Sequence, residues 1–303
     1  MSTPNTRDAG AQSHAADESA LKNSAARLSI FAAAFLILLK TGTGWLTGSI
    51  AVWASLLDSA MDIFASSINY FAVRAASRPP DEDHAYGHGK VESLAGLFQA
   101  AVITFSGLFV IYEAIKRMIY PHPTGSEPLG IATMIIAILI SFALVARLRR
   151  VARLTDSPAL SADAVHFASD VWTNGGVLLA LALIYFTGWT IVDPLISVAI
   201  SIYILSSALG VGRESVDVLM DRRLPPEVDE QVAGIVRRFR SEGVLGFHDL
   251  RTRRSGAQKF IDLHLEVERH KTLEEAHAAS VSVLRTIEAE IPRAKVQIHT
   301  DPA

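Results

Sequence analysis

Cysteine is absent from the 303 residues. Disulfides and thiolate metal sites are therefore excluded. Charge is sparse: 19% of the residues are Asp, Glu, Lys or Arg, below the roughly 25% of soluble domains. Neither sign dominates. The net charge of −3 gives no reason to expect a nucleic-acid partner. The opening stretch, MSTPNTRDAGAQSHAADESALKNSAA, lacks the basic-then-apolar pattern of a cleaved signal peptide. It is polar and rich in small residues, so residues 1–25 are expected to be a disordered cytoplasmic tail. What the chain has instead is apolar length. Half of its residues are hydrophobic and its mean hydropathy is +0.29.

Six apolar runs approach or exceed the roughly 20 residues that span a bilayer. They fall at about 28–48, 51–74, 93–118, 129–146, 160–187 and 191–211, the last extending toward 220. Lys and Arg mark the cytoplasmic connections. They occur before the first run (Arg7, Lys22, Arg27), between the second and third (Arg74, Arg78, Lys90) and between the fourth and fifth (Arg147, Arg149, Arg150, Arg153). The other three connections have none, which puts both termini in the cytoplasm. Lys116 and Arg117, closing the third run, are the one blemish in this pattern.

From about Leu224 the texture changes. PPEVDEQVAGIVRRFRSEG reads as an amphipathic helix led by prolines. GFHDLRTRRSG and QKFIDLHLEVE read as strands around a Ser-Gly turn. Ile261, Leu263, Leu265 and Val267 share one face of the second strand, and Asp262, His264 and Glu266 the other. A second helix follows, with Thr272 as N-cap and Glu275 at the capping-box position. AKVQIHTD makes a last strand. The order αββαβ predicts a small α+β layer domain over residues 222–303, after a six-helix membrane domain over 26–221.

The second run carries Asp58 and Asp62, four residues apart. A carboxylate at the bilayer centre costs about 2.5–3.5 kcal/mol on insertion scales. The fifth run holds a matching pair, His166 and Asp170, also four apart. Residues at that spacing share a helix face. Facing each other, the pairs supply three carboxylates and one imidazole, a set that suits tetrahedral Zn²⁺ and also admits Fe²⁺, Mn²⁺ or Cd²⁺. The plainer reading, polar ties between helices, suits one isolated Asp better than two such pairs in one bundle.

The loop RPPDEDHAYGHGK places His84 and His88 four apart, behind Asp81, Glu82 and Asp83. It reads as a second metal site, against a simply solvated acidic loop. The last quarter of the chain holds His248, His264, His270, His277 and His299, with Asp301. The cluster reads as a third site. His270 in a turn, His14 in the tail and His122 in an outer loop read as surface residues.

These features resemble one family, the cation diffusion facilitators. The resemblance rests on D-x-x-x-D in the second helix, H-x-x-x-D in the fifth and the segments LLDSAMD, HAYGHGKVESLAGL, FASDVWTNG, DRRLPPE, HDLRTRRSG and IHTDP. It covers roughly residues 25–303. It implies a homodimeric antiporter in the bacterial inner membrane that exchanges divalent metal ions, here Zn²⁺, for protons by alternating access. It implies a transport site of Asp58, Asp62, His166 and Asp170, and a loop site of Asp81, His84 and His88. It further implies a two-metal site of His248, His264, His277, His299 and Asp301 in a ferredoxin-like cytoplasmic domain. Two rivals are a membrane metalloprotease, whose H-E-x-x-H motif the sequence lacks, and a metal sensor that binds but moves nothing.

Overall fold

Apolar runs that long have only one local solution in lipid, the helix, because every backbone N–H and C=O must be satisfied within its own segment. The structure, a computed structural model, describes residues 6–47, 50–120 and 128–303, with the backbone alone for 6–16, 47 and 50–60. The membrane part consists of α1 (Thr6–Thr47), α2 (Ile50–Ala76), α3 (Lys90–Ile119), α4 (Pro128–Thr155), α5 (Pro158–Thr187) and α6 (Val192–Leu219). In five of them the described residues are long and apolar enough to cross a bilayer. The fifth helix shows clear punctuation. Ser157 caps its start, accepting from the Leu160 N–H at 3.4 Å, and Pro158 occupies the first turn. Gly188 ends it with φ 74°, a conformation that suits glycine.

The bundle packs on small residues, as membrane helices do. Ala25, Ala26 and Ala33 of α1, Ala72 and Val73 of α2, Leu148 and Ala152 of α4 and Ala159, Leu160 and Phe167 of α5 form one buried cluster. At Gly176 on α5, a Cβ would come within 2.2 Å of Ile200 Cδ1, so the glycine leaves a notch that this side chain of α6 fills. Large apolar side chains such as Phe31, Leu38, Phe105 and Phe142 stay exposed, each at 65% or more. A bilayer covers such a belt. Arg117, out of place by the charge rule, pairs with Asp193 at 3.2 Å, and Lys116 with Glu113 at 3.3 Å.

The first helix departs from expectation. Residues 6–25, read as disordered tail, continue α1. Alanine recurs at 9, 11, 15, 16, 20, 25 and 26, and alanine has the highest helix propensity. Hydrophilicity removed the membrane signal there without removing the helical one.

The chain divides into two compact units, 1–216 and 217–303. The second comprises α7 (Pro226–Arg237), β1 (Val244–Ser255), β2 (Gln258–Val267), α8 (Leu273–Glu290) and β3 (Ala294–Pro302). The strand order is β1-β2-β3. β1 runs antiparallel to β2, and β3 parallel to it. A parallel pair needs a long crossover, which α8 supplies. Its capping box is present, with Thr272 and Glu275 bonded reciprocally. Ile261, Leu263, Leu265 and Val267 pack with Val232 and Ile235 of α7 and Val283 and Ile287 of α8. Both helices therefore cover one face of the sheet, and the polar face is left open.

Candidate metal centres

Across 104 residues of sequence, the helical spacing delivers one contact. His166 Nε2 on α5 lies 2.9 Å from Asp62 Oδ1 on α2. Their side chains are 9% and 13% exposed. Asp170, one turn beyond His166, completes a group whose donor atoms lie within 4.8 Å of one another. Zinc–ligand bonds of about 2.0–2.2 Å place tetrahedral donors roughly 3.3–3.6 Å apart, so a small inward closure would seat an ion. Asp58 belongs to α2 one turn before Asp62, but its side chain lies outside the described residues, as does that of His14. His122 lies outside them entirely.

Two further buried polar groups of the bundle escaped the sequence reading. Asp163, one turn before His166, is fully buried and accepts from Ser29 Oγ at 2.5 Å. Glu92 is 1% exposed and pairs with Lys22 at 2.6 Å. Asp163 had a signal in the sequence, since it shares the i, i+3 face with His166. The Lys22–Glu92 pair had none, because it joins positions 70 residues apart.

In the loop between α2 and α3, Asp81 gathers the two histidines. His84 Nδ1 lies 3.2 Å from Asp81 Oδ1, and His88 Nε2 lies 3.3 Å from Oδ2. The His84 backbone N–H donates to the same carboxylate at 2.7 Å. That bond chiefly, with the His84 ring and the facing imidazoles, holds Asp81 below the usual carboxylate range. His84 and Asp81 are more than half exposed, while His88 is 13% exposed. Glu82 and Asp83, neighbours in sequence, are not part of the group.

In the second unit, strand register builds the cluster. His248 of β1 is paired with His264 of β2, and His264 with His299 of β3. The three imidazoles thus form a row on the open polar face. Asp301 lies at its centre, with Oδ2 2.9 Å from His264 Nδ1 and 3.3 Å from His248 Nε2, and Oδ1 3.2 Å from His299 Nε2. The His264 bond is the main cause of a lowered Asp301 pKa, with the charges of the other two rings adding to it. One carboxylate facing histidines from both oxygens can bridge two ions. Glu266 was missed as a functional residue: its Oε1 meets His248 Nδ1 at 3.1 Å and orients that ring, as carboxylates do behind metal-binding histidines. His277 is not brought to this group. It is exposed on α8, which packs on the apolar face of the sheet, opposite the row. His270 sits in a turn, 3.4 Å from Glu268.

A helical membrane bundle with an imidazole–carboxylate group between two helices, followed by an αββαβ unit with another, defines an integral membrane protein of a cation-handling class. Residues 26–220 match the cation efflux transmembrane domain, and residues 224–303 the cation efflux protein cytoplasmic domain. The chain belongs to the cation-efflux family, the cation diffusion facilitators, and is a membrane-spanning cation-efflux transporter. It is 43% identical over 270 residues to the cation-efflux pump FieF of Shigella flexneri serotype 5b, covering 89% of each chain. The FieF pump of Klebsiella pneumoniae subsp. pneumoniae is 42% identical over 271 residues, again covering 89% of each. A solved structure of a candidate zinc transporter, CzrB, in its Zn form is 35% identical; it covers 27% of this chain and 92% of that one, with a TM-score of 0.26.

Proposed function

We propose that the protein is a homodimeric antiporter of a bacterial inner membrane that exports Zn²⁺ from the cytoplasm in exchange for protons. The observation that carries this is the Asp62–His166–Asp170 group, buried between α2 and α5 inside the bundle. Asp58 would supply the fourth donor. An isolated carboxylate there is costly, and a divalent cation or protons would offset it by turns. That exchange is antiport. Zn²⁺ binding requires deprotonated ligands and so displaces protons. Rocking of the bundle exposes the loaded site to the outside, where protons compete the metal off. His166 is the imidazole of the group and the natural proton carrier.

Both termini are cytoplasmic in this reading. The match of residues 224–303 to a cytoplasmic domain supports it for the C-terminus, and six membrane helices would return the N-terminus to the same side. The loop group (Asp81, His84, His88) and the row on the tail sheet (His248, His264, His299, Asp301) would bind cytoplasmic Zn²⁺ and raise the transport-competent population of the dimer. His277 would reach a metal only in the assembled dimer.

The test is proton movement driven by metal alone. Purified protein is reconstituted in vesicles that enclose a pH-sensitive dye, and Zn²⁺ is added outside. Antiport predicts that the lumen becomes more alkaline as Zn²⁺ enters and protons leave. Zn²⁺ binding without any dye response would favour a sensor and overturn the proposal.

A further inference from the structure

Lys22 precedes the stretch 26–220 that matches the transmembrane domain of the family. It is nevertheless buried, at 8% exposure. Its ammonium donates to Glu92 Oε1 at 2.6 Å, and Glu92 Oε2 accepts from Ser157 Oγ. Glu92 and Ser157 are 1% and 2% exposed. Three helices meet at this one carboxylate. Lys22 comes from the N-terminal extension of α1, Glu92 from the first turn of α3, and Ser157 is the N-cap of α5.

Ala25, Ala26, Ala95 and Ala159 are buried in the same cluster as Leu148, Val151 and Leu160. Within that apolar packing the charged, hydrogen-bonded triad is the polar contact that joins α1, α3 and α5. A buried pair of this kind holds firmly while intact and leaves an uncompensated charge when one partner goes. It also stands where α3 and α5 both begin. His166 lies nine residues along α5 from Ser157, with Asp163 between them. The triad therefore stands at the end of the bundle from which α5 leads to the cation group.

We propose that Lys22, Glu92 and Ser157 form a latch over the cytoplasmic mouth of the transport site, with the extension of α1 as the gate element. The latch breaks each time the site opens to the cytoplasm. This rests on the orientation given under the proposed function.

The absence of cysteine makes the test direct. Ala159 is fully buried in the turn after Ser157, so Ala159→Cys in the full-length chain is a single reporter of opening. A membrane-impermeant maleimide is applied to one face of sealed vesicles at a time. Minor states lie at about 0.1–10% of a population, so releasing the latch with Lys22→Met is expected to speed labelling from the cytoplasmic face by about tenfold or more. The swap Lys22→Glu with Glu92→Lys rebuilds the pair and restores protection. Unchanged labelling in Lys22→Met overturns the latch. Faster labelling that the swap fails to reverse also overturns it, because loosened packing would then be the cause. Faster labelling from the opposite face alone, reversed by the swap, keeps the latch and overturns the orientation.

Discussion

Asp301→Asn is the substitution on which the tail geometry bears most sharply. The carboxylate meets three imidazoles from three strands, at 2.9, 3.3 and 3.2 Å. Oδ2 faces His264 and His248, while Oδ1 faces His299. If it bridges two ions, its loss weakens both. Structural Zn²⁺ sites with four ligands hold their ion with about 10–16 kcal/mol at pH 7, so one ligand carries about 2.5–4 kcal/mol. At about 1.4 kcal/mol per decade, that is about 60-fold to 700-fold in Kd. Asparagine keeps the shape and one acceptor oxygen but removes the charge. Glu266→Gln is the comparison. Glu266 meets His248, at 3.1 Å, and carboxylates that orient a ligand are worth about 10–100-fold in affinity. The assay is Zn²⁺ titration of the full-length chain against a competing chelator, counting ions per protomer. Asp301→Asn should weaken two tail ions together, and Glu266→Gln only the ion held by His248. Normal tail affinity in Asp301→Asn, or loss of one ion with the other untouched, would refute the bridging geometry.

Two further outcomes follow. His166→Asp converts the membrane group to oxygen donors alone and should shift transport preference from Zn²⁺ toward Mn²⁺; an unchanged ion ranking in a flux competition would count against His166 as a ligand. Asp81 and Asp301 are both held below the usual carboxylate value of 3.8. A carboxylate lowered on folding contributes stability above its unfolded pKa and loses it as pH falls through the lowered one, so both stay ionised well below neutrality. Loss of the Asp81 and Asp301 charges should therefore not limit Zn²⁺ binding in the ordinary carboxylate range; a decline in loop and tail affinity centred near pH 4 in titrations from pH 8 to 4 would contradict this.

Where the signal was periodic, the sequence carried the fold. Apolar length located the membrane helices, and alternation separated Ile261, Leu263 and Leu265 from His264 on β2. The meeting of Asp62 with His166 and Asp170 was legible because the four-residue spacing aligns side chains on one helix face, while Asp58 lies outside the described side chains. Long-range pairing was not legible. Nothing local says that Lys22 pairs with Glu92, so the N-terminal extension read as polar and disordered, although its alanines favour a helix. The row of His248, His264 and His299 likewise depends on register. β1 is irregular between His248 and Arg251, where Asp249 takes φ 52°, and no alternation rule places a histidine beside such a bulge. Glu266 was assigned to the right face of β2 but not to a role, because its partner sits on another strand. His277 joined the two-metal set through the family resemblance, and within one chain the packing of α8 on the apolar face separates it from the others.

The most direct measurement of the central claim is Zn²⁺ uptake into proteoliposomes with an imposed pH gradient, acidic inside, for the wild type and Asp62→Ala. The substitution removes the carboxylate that meets His166 at 2.9 Å. The account predicts uptake that follows the gradient in the wild type and is abolished in Asp62→Ala. Wild-type protein that binds Zn²⁺ without gradient-dependent uptake would contradict it, as would an Asp62→Ala variant that transports normally.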